Sequence, residues 1–330
     1  MRVLITGGAG FLGSHLLAAL AAAGHQPVSL DVAPPNAEGM AIAAAASGIA
    51  RYHVGQITDQ ARIFDICRGE RIDAIVHAAG LVGLARSLEQ PATTYQTNVM
   101  GMVNVCEAAR QLGITRLILM SSNAAYHGND GGDLRETDPV FSVRDGNPAG
   151  HYGTSKMAAE AIGLAYASFH GLDILCLRIT AIYGFGMREA MYIKPMVENA
   201  VRGLPTRFAT GGPMKRDYTH IADCVDAILR ALTRDSTPPD QRVLNVAAGH
   251  ARTAAEVAAI VRSVLPAADI EIADRLTELE QRNLRMRAAL DIAAARHILG
   301  WSPAWTLATG IREYAERYRA FLETSQQDPA

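Results

Sequence analysis

Short runs of apolar and β-branched residues alternate along the chain with longer amphipathic segments. Segments such as 92–112 and 155–169 carry apolar residues at helical spacing. The intervening runs are mostly continuous rather than alternating, which is typical of strands buried on both faces. The pattern predicts an α/β fold with a doubly wound parallel sheet. The predicted strands are 2–6, 27–31, 51–55, 73–79, 116–120, 173–179 and 242–247.

The regular alternation loosens beyond about residue 175, where Gly and Pro interrupt the chain at 203–205, 211–213 and 237–239. This change predicts a smaller α/β C-terminal lobe that forms the substrate side of a cleft. We expect a first domain over residues 1–177 and a second lobe mainly over 178–330, with the strand at 242–247 returning to the first domain.

The composition narrows the function classes. The 330 residues are 49% hydrophobic and 19% charged, with a net charge of -2. This balance argues against nucleic acid as the main partner, because phosphate binding requires a clustered basic face. No run of about 18 apolar residues predicts a membrane span. Four scattered cysteines without a CxxC pair indicate reduced thiols in a cytoplasmic protein, and no metal site.

A glycine-rich turn, TGGAGFLG at 6–13, follows the first predicted strand and opens a helix. Gly7 permits the tight turn, Gly10 lets the backbone approach a pyrophosphate, and Gly13 lets the helix pack closely on the strand. The free N–H groups at the helix start, at Phe11 and Leu12, would hold the phosphates. The turn predicts a Rossmann dinucleotide site.

The second predicted strand ends at Asp31, 18 residues after Gly13. A carboxylate there accepts hydrogen bonds from the adenosine ribose hydroxyls and repels a 2′-phosphate. No Arg or Lys follows at 32–36. The sequence therefore predicts NAD rather than NADP.

Seven motifs in one order resemble those of the extended short-chain dehydrogenase/reductases, in the NAD-dependent epimerase/dehydratase branch typified by sugar-nucleotide 4-epimerases. The resemblance covers nearly the whole chain and implies an NAD-dependent enzyme acting on a small-molecule substrate. The motifs are TGGAGFLG, HAAG at 77–80, RSLEQP at 86–91 with NVMG at 98–101, YGTSK at 152–156, KRDYTHIAD at 215–223, NVAAG at 245–249 and LGWSPAWTLATGI at 299–311.

The resemblance implies further residues around the cofactor. Gln56 stands where the family carries an acid that meets the adenine, and Ile57 follows it. His77 is expected to pack beneath the cofactor rather than act as a base. The other expected cofactor residues are Ala78, Ala79, Gly80 and Asn98.

Tyr152 and Lys156 lie four residues apart and would share one helix face. A tyrosine with an ordinary pKa of about 10 is a weak base at neutral pH. A nearby ammonium and the positive nicotinamide ring would favour its phenolate. Tyr152 could then take a proton from a substrate hydroxyl, while Lys156 also holds the nicotinamide ribose.

The segment RLILMSSNAAYHG at 116–128 leaves the catalytic hydroxyl open between two positions. The family position falls on Asn123 when counted back from Gly128 and on Ser122 when counted from the strand. We favour Ser122, because a hydroxyl can both donate and accept a hydrogen bond. Asn123 is then a substrate contact. No carboxylate occupies 123–125, which argues against the family's dehydration route.

Two further positions concern the substrate. Arg216, in the segment that resembles the family's phosphate-binding motif, is expected to meet a nucleotide phosphate. Ala181 stands where the family usually has an Asn that contacts substrate. This departure argues against a sugar nucleotide as the substrate, but it does not affect the predicted redox chemistry.

Three functions stay open at this point. The first is a sugar-nucleotide epimerase that oxidises and re-reduces its substrate on bound NAD. The second is a dehydrogenase of a free sugar, uronate or sugar acid that releases NADH. The third is a non-catalytic NAD-binding scaffold, which the presence of both Tyr152 and Lys156 disfavours. The resemblance also implies a homodimer through helices 92–111 and 155–169.

Overall fold

A computed structural model describes residues 1–128, 132–143, 146–284 and 287–327. In these residues the main sheet has seven parallel strands, in the order β3-β2-β1-β4-β5-β6-β9. They are β1 Arg2–Thr6, β2 Gln26–Asp31, β3 Arg51–Val54, β4 Ala74–His77, β5 Arg116–Ser122, β6 Asp173–Ile179 and β9 Val243–Val246. The predicted α/β class and doubly wound parallel sheet are confirmed.

Helices cover both faces of this sheet. The first seven are α1 Phe11–Ala22, α2 Ala37–Ala43, α3 Gln60–Glu70, α4 Leu84–Glu89, α5 Pro91–Tyr95, α6 Gly101–Leu112 and α7 Gly150–His170. Short 3₁₀ turns at Ala44–Ala46 and Asn123–Ala125 and a π turn at Gln96–Met100 complete the first half. The amphipathic segment 92–112 is therefore not one straight helix, because the π turn divides it.

The second lobe adds two small sheets. β7 Thr206–Phe208 pairs in parallel with β11 Ile270–Ile272, and β8 Lys215–Asp217 pairs antiparallel with β10 Ala251–Thr253. The remaining helices are α8 Ile193–Arg202, α9 Ile221–Thr233, α10 Ala254–Val264, α11 Glu278–Leu284, α12 Ala293–Leu299 and α13 Leu307–Gln327. β9 lies in the main sheet, as expected for the strand at 242–247, whereas the boundary at residue 177 stays a prediction.

Three apolar cores hold these layers together. On one sheet face, α1, α9 and α12 bury Leu16, Ile228 and Leu299. On the other face, α3, α6 and α7 contribute one continuous core against the same strands. The third core fills the second lobe and includes Tyr183 and Tyr314. All four cysteines are buried, and no helix of the described residues is both long and apolar enough to span a bilayer.

The start of α1 lies unusually close to the preceding turn. A Cβ at Gly13 would stand 2.6 Å from the Cα of Gly8, which is inside any real contact distance. The helix can therefore approach the end of β1 only because residue 13 has no side chain. This contact fixes where the helix N-terminus points.

We expect Gly13→Ala to lower the free energy of unfolding by about 2–4 kcal/mol, because the added methyl must displace backbone. Gly69→Ala is the matched control, since nothing lies within 4 Å of a Cβ there and Gly69 is inside helix α3. That control should be neutral or stabilising by up to about 1 kcal/mol. Urea unfolding of the two variants checks this, and equal stability would refute the close contact.

Candidate active site

The glycine turn joins β1 to α1 at the carboxyl edge of the sheet. Gly7 has a φ of +73°, and a Cβ there would stand 2.9 Å from the backbone N of Ala79. A Cβ at Gly10 would meet only the Gly7 carbonyl oxygen, at 3.1 Å, so the space above Gly10 is open. The carboxylate of Asp31 accepts hydrogen bonds from the N–H groups of Ala9 at 3.0 Å and Val32 at 2.7 Å.

This arrangement fits a dinucleotide. The N-terminal N–H groups of α1, which include Phe11 and Leu12, meet the open space at Gly10. Asp31 stands beside the same turn with carboxylate oxygens suited to ribose hydroxyls. The structure thus places the protein groups expected to bind the pyrophosphate beside the carboxylate expected to bind the ribose.

The end of β4 forms the floor of the site. Nδ1 of His77 lies 2.8 Å from the Thr6 hydroxyl, and that hydroxyl also accepts the N–H of Ala79 at 3.1 Å. Burial, aided by the positive charge of Lys156, lowers the pKa of His77 to about 3. A neutral, fully buried His77 supports the packing role expected from the sequence.

Asn98 holds the strand end that carries Ala78, Ala79 and Gly80. Its side-chain oxygen accepts the N–H of Leu81 at 2.7 Å, and its amide nitrogen donates to the Leu81 carbonyl at 3.0 Å and to the Ser155 hydroxyl at 2.9 Å. The π turn points this side chain inward, as such turns often do at functional sites. Asn98 is therefore a structural link between β4 and α7.

Gln56 and Ile57 lie after β3, where the adenine end is expected. Ile57 is buried against Gly101, and its carbonyl accepts a hydrogen bond from Asn104 at 3.1 Å. Gln56 is exposed, and its side-chain oxygen accepts only the Thr58 hydroxyl, at 3.3 Å, within the described residues. That oxygen keeps capacity for one further donor.

Ser122 is the last residue of β5, and Asn123 begins the 3₁₀ turn that follows. The Ser122 hydroxyl accepts the N–H of Ala124 at 3.1 Å, and its interaction with the Tyr152 phenol favours a lower pKa of that phenol. Asn123 is also buried, and its side-chain oxygen lies 3.4 Å from the Ser122 hydroxyl. The contact with Tyr152 supports Ser122 as the hydroxyl of the site.

Burial raises the pKa of Tyr152 to about 12. The Ser122 hydrogen bond and the positive charge of Arg287 oppose this shift, whereas the negative charge of Glu189 adds to it. Lys156, which we expect from the sequence to favour the phenolate, is not among these groups. Its ammonium instead donates to the Met120 carbonyl at 2.7 Å, at the end of β5.

The second lobe contributes charges that sequence reasoning missed. Arg287 and Glu189 both act on Tyr152, although they lie 135 and 37 residues away from it along the chain. Three arginines cluster within 282–287, but nothing in their spacing indicates that Arg287 approaches Tyr152. No carboxylate stands at 123–125, but the Glu189 carboxylate acts on the site from another segment.

Arg216 and Arg287 form a cationic pair. Burial lowers the pKa of Arg216, and burial together with the positive charge of Arg216 lowers the pKa of Arg287 well below its usual value. Within the described chain, the buried Nε of Arg287 and the buried hydroxyl of Tyr218 have no hydrogen-bond partner. A buried guanidinium with an unused donor, acted on by a second positive charge, is suited to a ligand with several negative oxygens.

Ala181 lies beyond the end of β6 with a φ of +37°. This backbone region disfavours alanine and is more readily adopted by Asn or Gly. The position that lacks the family's Asn therefore keeps a conformation that suits an Asn.

Burial lowers the pKa of Lys156 to about 8, partly opposed by the negative charge of Glu160. Between pH 8 and about 10.4 the unfolded chain binds the proton more tightly, so raising the pH through this window stabilises the fold. Lys156→Met lacks this dependence. The variant should therefore exceed the wild type in free energy of unfolding at pH 7.5. We expect this difference to shrink by roughly 2 kcal/mol between pH 7.5 and 10.

Urea unfolding across that pH series measures the difference. The exposed Lys215→Met is the matched control and should follow the wild type throughout. A constant gap between Lys156→Met and wild type would show that Lys156 is not held in a destabilising environment.

The sequence matches the family described as "NAD dependent epimerase/dehydratase family" over residues 3–247. UDP-glucose 4-epimerase of Mycolicibacterium smegmatis is 30% identical, covering 97% of this chain and 99% of that protein. UDP-glucose 4-epimerase from Thermotoga maritima, solved with UDP-glucose, is 25% identical with a TM-score of 0.85, covering 98% and 100% of the two chains. The enzyme of that name from Thermus thermophilus, solved with NAD, is 27% identical with a TM-score of 0.81, covering 97% and 99%. The site and these relatives lead to one conclusion: the chain belongs to the NAD-dependent epimerase/dehydratase family of enzymes.

Proposed function

We propose that the protein epimerises a sugar nucleotide at a carbinol carbon, with NAD held in the site throughout. The observation that carries this proposal is the pair Arg216 and Arg287 of the second lobe, in which Arg216 acts on Arg287 and Arg287 acts on Tyr152. A nucleoside diphosphate sugar places a diphosphate a few ångströms from its reacting sugar carbons. A neutral free sugar carries no negative charge that could pair with these two cations.

Bound NAD would supply reversible hydride transfer at the sugar carbon, and return of the hydride to the opposite face would invert that carbon. Tyr152 accepts the hydroxyl proton as the carbonyl forms and returns it in the reverse step. Ser122, hydrogen bonded to Tyr152, holds the substrate oxygen and the phenol oxygen within one network. Lys156 contributes positive charge at the floor of the site.

The charge of Arg287 also affects the proton affinity of Tyr152. Tyr152 in its buried place is a weak acid, so its phenolate needs stabilisation at neutral pH. Arg287 supplies part of it, and a diphosphate bound between Arg216 and Arg287 would offset the charge of Arg287. The positive nicotinamide ring would then become the larger stabilising charge during oxidation.

A net dehydrogenase of a free sugar or sugar acid is the second candidate. Ala181 favours it, because a residue without a polar side chain stands where the family contacts substrate. The order Ser-Ser-Asn at 121–123 also resembles uronate dehydrogenases. This candidate leaves the roles of Ser122, Tyr152 and Lys156 unchanged.

The deciding experiment follows absorbance at 340 nm with NAD and a panel of UDP-hexoses, their N-acetyl and uronic forms, free uronates and aldoses. We expect an epimerised sugar nucleotide by chromatography with no accumulating NADH. NADH that rises in proportion to a consumed free sugar would instead establish the dehydrogenase. Turnover of nothing in the panel, together with tight NAD binding, would favour the scaffold.

We expect Arg216→Met and Arg287→Met each to weaken UDP binding by roughly ten- to a hundredfold, because each removes a charge-assisted contact. Arg282→Met is the matched control, since Arg282 is exposed on α11. Isothermal titration with UDP and with free galactose measures the effect. Weakened binding of galactose, or unchanged binding of UDP, would contradict a diphosphate site at this pair.

Ser122→Ala and Asn123→Ala separate the two positions left open by the sequence. Loss of the Ser122 hydroxyl should lower kcat by about 10²–10⁴-fold, because it breaks the proton network with Tyr152. Asn123→Ala should raise KM with a smaller effect on kcat. Ser122→Thr, which keeps a hydroxyl, should retain measurable activity. The opposite pattern would move the catalytic role to Asn123.

A further inference from the structure

One second-lobe segment crosses to the first domain and contacts the glycine turn. It spans residues 183–192 and follows β6 by three residues. The Phe185 carbonyl lies 3.0 Å from Nε2 of His15 on α1. Gly186, with a φ of +87°, lies against Ile42 of α2, where a side chain would collide. The segment is thus anchored on two helices of the dinucleotide domain.

Arg188 extends from this segment onto the turn itself. Its Nη2 donates to the Ala9 carbonyl at 2.8 Å and lies 3.4 Å from the side-chain oxygen of Asn36. Ala9 belongs to the turn between Gly7 and Gly10, and its N–H donates to Asp31. The guanidinium therefore stands at the place where the pyrophosphate and the adenosine ribose ligands meet.

Most of the donor capacity of Arg188 is unused. A guanidinium has five N–H donors, and only Nη2 makes hydrogen bonds within the described residues. Nη1 and Nε have no protein partner there, and the side chain is exposed. A planar edge with free donors can bind two oxygens of a phosphate at once.

The dinucleotide domain supplies no positive charge of its own at this point. Between residues 1 and 36 the only Lys or Arg is Arg2, at the opposite end of β1. The nearby carboxylate of Asp31 is unfavourable for a pyrophosphate, which carries two negative charges. Backbone N–H groups at the start of α1 offset only part of that charge. Arg188 is the guanidinium that the structure places on this turn.

We propose that Arg188 is a cofactor-binding residue whose guanidinium donates to the pyrophosphate of NAD from the second lobe. The cofactor would then be held by both parts of the chain, and its release would require the segment 183–192 to move. This inference rests on the family's cofactor and not on the proposed epimerisation. Its test is a binding measurement, so the absence of turnover would leave it intact.

The experiment titrates NAD, ADP and adenosine into cofactor-stripped wild type, Arg188→Ala and Arg188→Lys by isothermal titration calorimetry. We expect Arg188→Ala to weaken NAD and ADP by roughly ten- to a hundredfold, the loss of one charge-assisted contact. Adenosine, which lacks phosphate, should change less than about twofold. Arg188→Lys should fall between, because it keeps the charge but not the planar edge.

Two controls separate a phosphate contact from a structural link. Arg312→Ala removes an exposed arginine of α13 and should bind all three ligands like wild type. Asn36→Ala removes a protein partner of Arg188 but keeps the cation, so it should preserve most of the affinity for ADP. A second readout is the rate of NAD release after dilution. This rate should be higher in Arg188→Ala than in the wild type, and in the wild type it should rise with salt concentration.

Unchanged affinity of Arg188→Ala for NAD and ADP would overturn the proposal. So would an equal loss for adenosine, because the arginine would then only shape the turn.

Discussion

The whole site depends on the alignment of parallel strands at one edge of the sheet. Parallel pairing brings the carboxyl ends of adjacent strands side by side, and the crossover helices leave from that edge. Thr6 pairs with both Leu30 and His77, and Ser122 pairs with Ile179. The glycine turn, Asp31, the β4 floor and the Ser122 hydroxyl are close neighbours for this single reason.

A buried ion pair then fixes the distance between the sheet and helix α7. Arg178 on β6 donates to both oxygens of Glu160 on α7, at 2.9 and 2.7 Å, and both side chains are only 5% exposed. The Ser121 hydroxyl bonds to the same carboxylate, and the ring of Tyr126 lies under the guanidinium. Glu160 is one helical turn beyond Lys156. The pair therefore joins β5, β6 and α7 at the level where Ser122 must meet Tyr152, and its loss would leave a buried charge alone.

Local patterns were enough to predict most of the fold and half of the site. β1 begins and ends where its apolar run does, and the glycine turn, Asp31 and the Tyr152–Lys156 pair lie in short, self-contained motifs. Arg188, Glu189 and Arg287 could not be found this way. Their roles come from loops of the second lobe that fold back over the first, and no spacing along the chain encodes such an approach. Spacing along the chain leaves both Ser122 and Asn123 open, and the interaction of Ser122 with Tyr152 favours Ser122.

The return of the chain to its first sheet has a consequence for biosynthesis. One face of that sheet is covered by α9 and α12, which end at residues 233 and 299, and β9 pairs with β6 only after residue 243. A nascent chain of 180 residues would already contain six strands and the cofactor turn. It would still expose Ile118, Leu175 and the unpaired edge of β6. The dinucleotide half is thus not a unit of folding, and the ribosome must release almost the entire chain before that surface is protected from aggregation.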